Sequence, residues 1–445
     1  MSEVMPAVND NSDTLPGAPL RGDAVFARFI GYSGLLYISL WIIGLGGAFW
    51  PVVALASACY LVYRGSDRLS LLPLTIAVLI LFSIPVGVAN YESGLGRVVG
   101  SLGNLSVWIG LSAILVCAQK SQIRMPIAKS LVVITAFQGV VVLSALLFFP
   151  HDFPLPIRVI PESILPEGLA VFSSQEIVYM DWLGGEALRT VGVSGNPTWA
   201  GALALAGMAA AVVVGRRTNV FLSVLSFGGG ILTISLSLSR SVLIVALVAS
   251  VVAVASRLRR RLGGFVYLIM AAGGMAVFFL SYLNFEWLRH EIMDINDDRM
   301  GSLESRSDIY TATLDGILDH PLLLVGYGIK PSSPDLVASL ATHSTYLSLL
   351  FRGGIVAPML FLALGGVLLW SCWKRFDSVG SFIVVFIVLW SSLEDIDGGH
   401  LLPLALALAV VSPTHQNEDK NHRANSGSLG TDWLRTEAHL RRWKA

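Results

Sequence analysis

The sequence predicts an all-α, polytopic membrane protein, a helical bundle of about twelve transmembrane helices. Three observations carry that prediction. Hydrophobic residues make up 54% of the 445-residue chain and charged residues 13%, about half the ~25% usual in soluble domains. Apolar runs of roughly 18 residues or more recur along the chain, each long enough to span a bilayer. Basic clusters fall at regular intervals between those runs.

The expected spans lie near 29–47, 48–63, 71–89, 103–118, 127–149, 196–215, 219–236, 240–256, 262–283, 354–373, 379–394 and 399–413. Only Trp50 and Pro51 separate the first two, and "SLSLSR" must hold the turn between the seventh and eighth. Arg64 and Arg68, then Lys120, Arg124 and Lys129, then Arg216 and Arg217, then "RLRRR" (257–261), then Lys374 and Arg375 follow alternate spans. All therefore lie on one side, which the positive-inside rule makes cytoplasmic. Both termini are then cytoplasmic: a disordered segment 1–23, polar and without the basic flank of a cleavable signal, and a tail 414–445. Trp433, Leu434 and Leu440 give that tail one apolar helical face, so a surface helix and a disordered tail both stay open. The bundle occupies 24–413.

Cys59, Cys117 and Cys372 sit inside or at the ends of apolar runs, which fits neither a disulfide framework nor a zinc site. A net charge of +0 gives no reason to expect a nucleic-acid partner. No Asp or Glu lies well inside a span, which weakens a proton-coupled transporter. The two long loops, 150–195 and 284–342, fall on the outer side.

Charge on that side stands against the positive-inside trend. Arg240 opens a span and is surrounded by Ser235, Ser237, Ser239 and Ser241. An arginine at a helix N-terminus, where backbone N–H groups are free, favours anions; an interfacial arginine that merely snorkels is the plainer alternative. In the next element, "LRTVGVSGNPTWAGALAL" (188–205), Asn196 can cap a helix with Pro197 at its first position, and Arg189 lies seven residues upstream of that cap, in the outer loop. In "SLESRSDIYTATLDGILDHPLLLVGYG" (302–328), Leu303, Ile309, Tyr310, Leu314, Ile317 and Leu318 fall near one helical face with Arg306. That helix either lies on the membrane or covers the bundle and aims Arg306 inward. In "ATHSTYLSLLFRGG" (341–354), His343 opens a helix. A helix N-terminus disfavours a further positive charge, which suits a neutral imidazole acting as general base. Tyr346, one turn on, either orients a substrate or packs.

Three arginines and a histidine at one membrane face fit transfer of a lipid-linked diphosphate sugar. Guanidinium forks bind phosphate oxygens in pairs. A diphosphate leaving group needs its growing negative charge stabilised, and the acceptor hydroxyl needs a base. No metal is required for this scheme. The acidic stretches "DINDDRMG" (294–301) and "SLEDIDGGH" (392–400) lack the full spacing of a calcium loop and read as solvated loops.

The order of "LRTVGVSGNPTWAGALALA", "ILTISLSLSRSVLIVAL", "ESRSDIYTATLDGILDHPLLLVGYG" and "THSTYLSLLFRGGIVAPMLF" resembles the O-antigen ligase and O-antigen polymerase superfamily over about 188–372. The resemblance implies a glycosyltransferase-like membrane bundle that moves a lipid-linked glycan on the periplasmic face with neither nucleotide sugar nor metal. Arg189, Arg240 and Arg306, with Asn196 and Tyr346 nearby, would bind undecaprenyl diphosphate, and His343 would be the base. Ser344 stands where the family commonly has asparagine. Two activities compete: a polymerase of O-antigen or exopolysaccharide units, which is the preferred expectation, and a ligase that delivers the chain to lipid A-core or a protein. A flippase for lipid-linked sugars would also need outer arginines, but it would need no histidine poised on one face. Other polysaccharide-assembly proteins and membrane lipids are the further partners expected.

Overall fold

The computed structural model describes residues 21–64, 72–88, 95–120, 123–148, 155–157, 179–181, 188–215, 219–266, 268–272, 275, 300–319, 324–330, 340–396 and 401–410. The N-terminal segment, the acidic stretch 294–299 and the tail lie outside the described residues.

Five helices come first: α1 (Arg21–Ile42), α2 (Phe49–Arg64), α3 (Leu72–Val88), α4 (Leu95–Lys120) and α5 (Arg124–Phe148). The break between α1 and α2 lies at a short 3-10 turn, Gly46–Ala48, where the expected spans 29–47 and 48–63 meet. Pro51 falls in the first turn of α2, where its missing N–H costs no helical bond. A two-stranded antiparallel hairpin, β1 (Tyr179–Asp181) and β2 (Leu188–Thr190), sets Met180 opposite Arg189. Next come α6 (Pro197–Gly215), α7 (Val220–Ser237) and α8 (Arg240–Leu262). Leu238, left-handed at φ 49°, turns the chain between α7 and α8, as the "SLSLSR" reading required. After α9 (Met300–Leu318) follow the short α10 (Thr345–Gly353), α11 (Val356–Lys374) and α12 (Ser378–Trp390).

Six helices among the described residues are long and apolar enough to cross a membrane: 24–42, α5, α6, α7, α8 and α11. Shorter apolar helices lie in 46–60, 75–88, 103–118 and α12. The chain is thus an all-α multi-pass membrane protein. The expected last span, 399–413, is corrected. It forms a 3-10 helix over Leu402–Ala409, eight residues long. At ~2 Å per residue that is about half a bilayer. Every residue from Leu401 to Val410 is buried, packed among α4, α5, α6, α11 and α12. Its run of Leu and Ala is apolar on all sides, and such a run buries in a protein core as readily as in lipid.

Packing in the centre depends on close backbones. α5 meets α6 and α7, and a Cβ on Gly139 would collide with the Gly229 backbone of α7. Small residues at a crossing allow the van der Waals contact that holds helices together where hydrocarbon surrounds them.

The segment that follows α9 is strapped onto α10. Tyr327 N and Gly328 N donate to Phe351 O and Arg352 O, both at 2.8 Å, and the Tyr327 ring stacks on Phe351 with centroids 4.6 Å apart. Gly326 and Gly328 hold φ of 74° and 80°. A Cβ at Gly328 would strike the Val88 backbone at the end of α3. The "GYG" turn therefore needs glycine for both reasons, and it fixes α9 relative to α10.

Candidate functional site

The site lies where α6, α8 and α10 begin and α7 and α12 end. α9 contributes one face. Its buried stripe is Ile309, Thr313 and Ile317, with Arg306 and Tyr310 beside it. Leu314 and Leu318, expected on the same face, are 43% and 76% exposed. The helix covers the bundle and aims Arg306 inward.

Arg306 meets Glu394 there. Its Nη2 stands 2.8 Å from Glu394 Oε1, and its Nη1 donates to Leu393 O at 3.4 Å. Glu394 is 2% exposed, in the turn after α12. The expectation of a solvated 392–400 loop is therefore corrected for its described part, because Glu394 and Asp395 are both buried, and Asp395 pairs with Lys330. The end of a helix is electrostatically negative, so a carboxylate buried just beyond α12 must be held by cations and donors.

Four groups hold it. Besides Arg306, the Thr198 hydroxyl lies 2.9 Å from Oε1, and Trp199 Nε1 donates to Oε2 at 3.4 Å. His343 Nδ1 faces Oε2 at 3.8 Å. Burial alone would raise the Glu394 carboxyl. The facing His343, the Arg306 guanidinium and the Thr198 hydroxyl outweigh it and hold the group below the usual carboxylate range.

His343 itself sits at φ 61°, a left-handed conformation that costs a non-glycine residue roughly 1–3 kcal/mol and gathers at functional sites. Its surroundings enforce the conformation. Ser344 caps α10 by accepting from Leu347 N at 3.4 Å, so serine does here what a family asparagine could do. Tyr310 OH donates to His343 O at 2.7 Å, and burial raises the Tyr310 hydroxyl above its usual range, which keeps it a donor. Thr345 N donates to Ser391 O at 2.8 Å, and the Thr345 hydroxyl donates to Glu394 O at 2.8 Å. The two loops bearing His343 and Glu394 are thus stitched together directly.

The other expected site residues divide. Arg240 is exposed at the first position of α8. Arg189 is 8% exposed and donates from Nε to Ser237 O at 2.9 Å, at the end of α7. The hairpin therefore carries Arg189 to the same turn that carries Arg240. Asn196 acts as the expected cap of α6: its Oδ1 accepts from Thr198 N at 2.9 Å and faces the Thr198 hydroxyl at 2.6 Å. Tyr346 makes the contacts of the packing alternative. Its hydroxyl donates to Val388 O at 2.8 Å and its ring meets Phe361 edge-on.

Sequence reasoning missed Glu394 as a member of the site, along with Thr198, Trp199 and the Lys330–Asp395 pair. One signal was present: an unpaired acid at the negative end of an apolar helix is unfavourable unless a cation meets it.

Residues 221–362 match the family model described as O-Antigen ligase. That stretch contains Arg240, Arg306 and His343 and bears out the resemblance to the O-antigen ligase and polymerase superfamily. No curated protein and no solved structure matches the chain.

Proposed function

Because residues 221–362 carry an O-antigen ligase-type segment, we propose that the protein is a glycosyltransferase that moves an undecaprenyl-diphosphate-linked glycan to a sugar hydroxyl at the periplasmic face of a bacterial inner membrane. The observation that carries this reading is the meeting of Arg306 and His343 on one buried carboxylate, Glu394.

The geometry supports the following division of labour. Glu394 faces Nδ1 of His343, so Nε2 is the nitrogen left to take a proton. It removes the proton of the acceptor hydroxyl as the hydroxyl oxygen attacks the anomeric carbon. The bond from that carbon to the diphosphate oxygen breaks, and undecaprenyl diphosphate leaves with the electron pair. Arg240, exposed at a helix N-terminus, and Arg306 neutralise the departing charge, an electrostatic role often worth several kcal/mol in the transition state. Arg189 holds the α7–α8 turn and so positions Arg240.

Polymerisation of O-antigen or exopolysaccharide units is the first reading. The description of the matched family as ligases favours a second one, transfer to lipid A-core. Purified protein given only a lipid-linked repeat unit separates them. A ladder of longer glycans with released undecaprenyl diphosphate, absent in His343→Ala, is the polymerase outcome. Product that forms only when lipid A-core is added is the ligase outcome. No product with either acceptor would overturn the glycosyltransferase reading and return weight to a flippase.

A further inference from the structure

At the far end of the same helices, cations gather around the turn from α11 to α12. α8 finishes with Arg259, Arg260 and Arg261, and α11 finishes with Lys374. Arg259 joins the two helices: its Nη1 donates to Trp373 O at 3.2 Å, and its guanidinium stands 5.7 Å and 5.6 Å from the ring centres of Trp373 and Phe376. Arg375 donates to Ala409 O at 2.8 Å. Arg124, at the start of α5, pairs with Asp377 at 2.6 Å. Three cations are thereby held by the protein, and Asp377 is the carboxylate that faces them among the described residues.

Four more face outward. Arg257, Arg260, Arg261 and Lys374 are exposed. Apolar side chains stand exposed in the same helical turns: Leu258 at 38%, Leu262 at 42% and Trp370 at 59%, with Phe265 at 70% just beyond. On α8, Arg257 and Arg261 are four residues apart, and so are Leu258 and Leu262, which gives two adjacent stripes, one cationic and one apolar. Lys374 lies 4.8 Å from the Trp370 ring. This end is about 28 Å along α11 from its start beside α10, at ~1.5 Å per residue, and so at the opposite membrane face from His343.

We propose that this end of the bundle is a binding site for anionic phospholipid, with the headgroup phosphate on the exposed cations and the acyl chains along Leu258, Leu262 and Trp370. Charge complementarity selects the headgroup, and the apolar stripe selects a lipid over a free anion. Basic clusters at the cytoplasmic ends of spanning helices attract acidic leaflet lipids in this way.

The test uses the full-length protein in an uncharged detergent, titrated with short-chain phosphatidylglycerol, with the matching phosphatidylcholine and with inorganic phosphate. Phosphatidylglycerol is expected to bind saturably, at least ~10-fold more tightly than phosphatidylcholine, and to weaken as salt rises. Arg257→Gln/Arg260→Gln/Arg261→Gln should lose at least ~10-fold in that affinity, and the matching lysine triple should retain it. If the glutamine triple does not fold, Lys374→Gln alone should weaken binding in the same direction. Equal affinity for the two lipids, wild-type binding in the glutamine variants, or equal competition by inorganic phosphate would each overturn the proposal.

Discussion

The two ends of α8, α11 and α12 use the same charged side chains in opposite ways. At the His343 end, Arg240 stands exposed, but four charges are turned inward as two pairs: Arg306 with Glu394 and Lys330 with Asp395, and Glu394 is 2% exposed. At the Arg375 end, cations outnumber their acid among the described residues, and several point outward. An end that attracts a lipid surface needs only net charge, and its geometry can be loose. An end that performs chemistry needs fixed geometry, and burial with stitched loops supplies it. Substitutions at the first end should therefore disturb activity, and those at the second should not.

The largest effect is expected from His343→Ala. General-base catalysis contributes about 10²- to 10⁴-fold, so transfer should fall at least a hundredfold, measured as released undecaprenyl diphosphate, while the protein still inserts and purifies. Near-normal turnover would remove His343 from the chemistry and make its strained backbone merely structural.

Arg306→Ala is next and acts on stability as well. It strands a buried carboxylate, which costs roughly 3–5 kcal/mol; the remaining His343 and Thr198 contacts place this case toward the low end. Adding Glu394→Gln should restore much of the stability lost, because the stranded charge is gone, yet it should not restore transfer. Thermal unfolding and turnover of the single and double variants check both halves. A double variant that recovers activity would show that the arginine acts only as a structural partner of the acid.

The same carboxylate gives a pH dependence of known sign. Glu394 is held below the usual carboxylate range in the folded protein. Its contribution to stability is then full above the ordinary Glu value of ~4.3 and is lost as pH falls through the lower folded value. Acid unfolding of the wild type should include this component, and Glu394→Gln should flatten that limb while leaving the neutral-to-basic profile alone. An identical acid limb in the two proteins would argue against the depressed carboxyl.

Legibility in the sequence divided along the same line. The apolar helices up to α8 follow from runs of apolar residues, because that signal is local. Arg306 and His343 were found from helical spacing and turn residues within their own segments. Glu394 was not, because it lies 88 residues from Arg306 in the chain and looks, by itself, like any acid at the end of a span. The 3-10 helix at Leu402–Ala409 was misread for the converse reason: its uniform apolarity states that it is buried but not in what.

The smallest effects come from a pair of caps that set the two ends directly against each other. Asn196 caps α6 at the His343 end, and Asn219 caps α7 at the other, accepting from Leu222 N at 3.0 Å. Replacing an asparagine cap with alanine costs about 1 kcal/mol, so both variants should lose a similar, small amount of thermal stability. Their activities should differ. Asn219→Ala releases only an exposed helix end and should leave transfer unchanged. Asn196→Ala also frees the Thr198 hydroxyl, which lies between Asn196 Oδ1 and Glu394 Oε1, and so loosens the carboxylate that orients His343. A several-fold loss of transfer confined to Asn196→Ala would locate the fixed geometry at that end alone. Equal turnover in the two variants would mean that the Glu394 cluster tolerates movement and that its burial serves folding, with the chemistry depending on His343 and the arginines only.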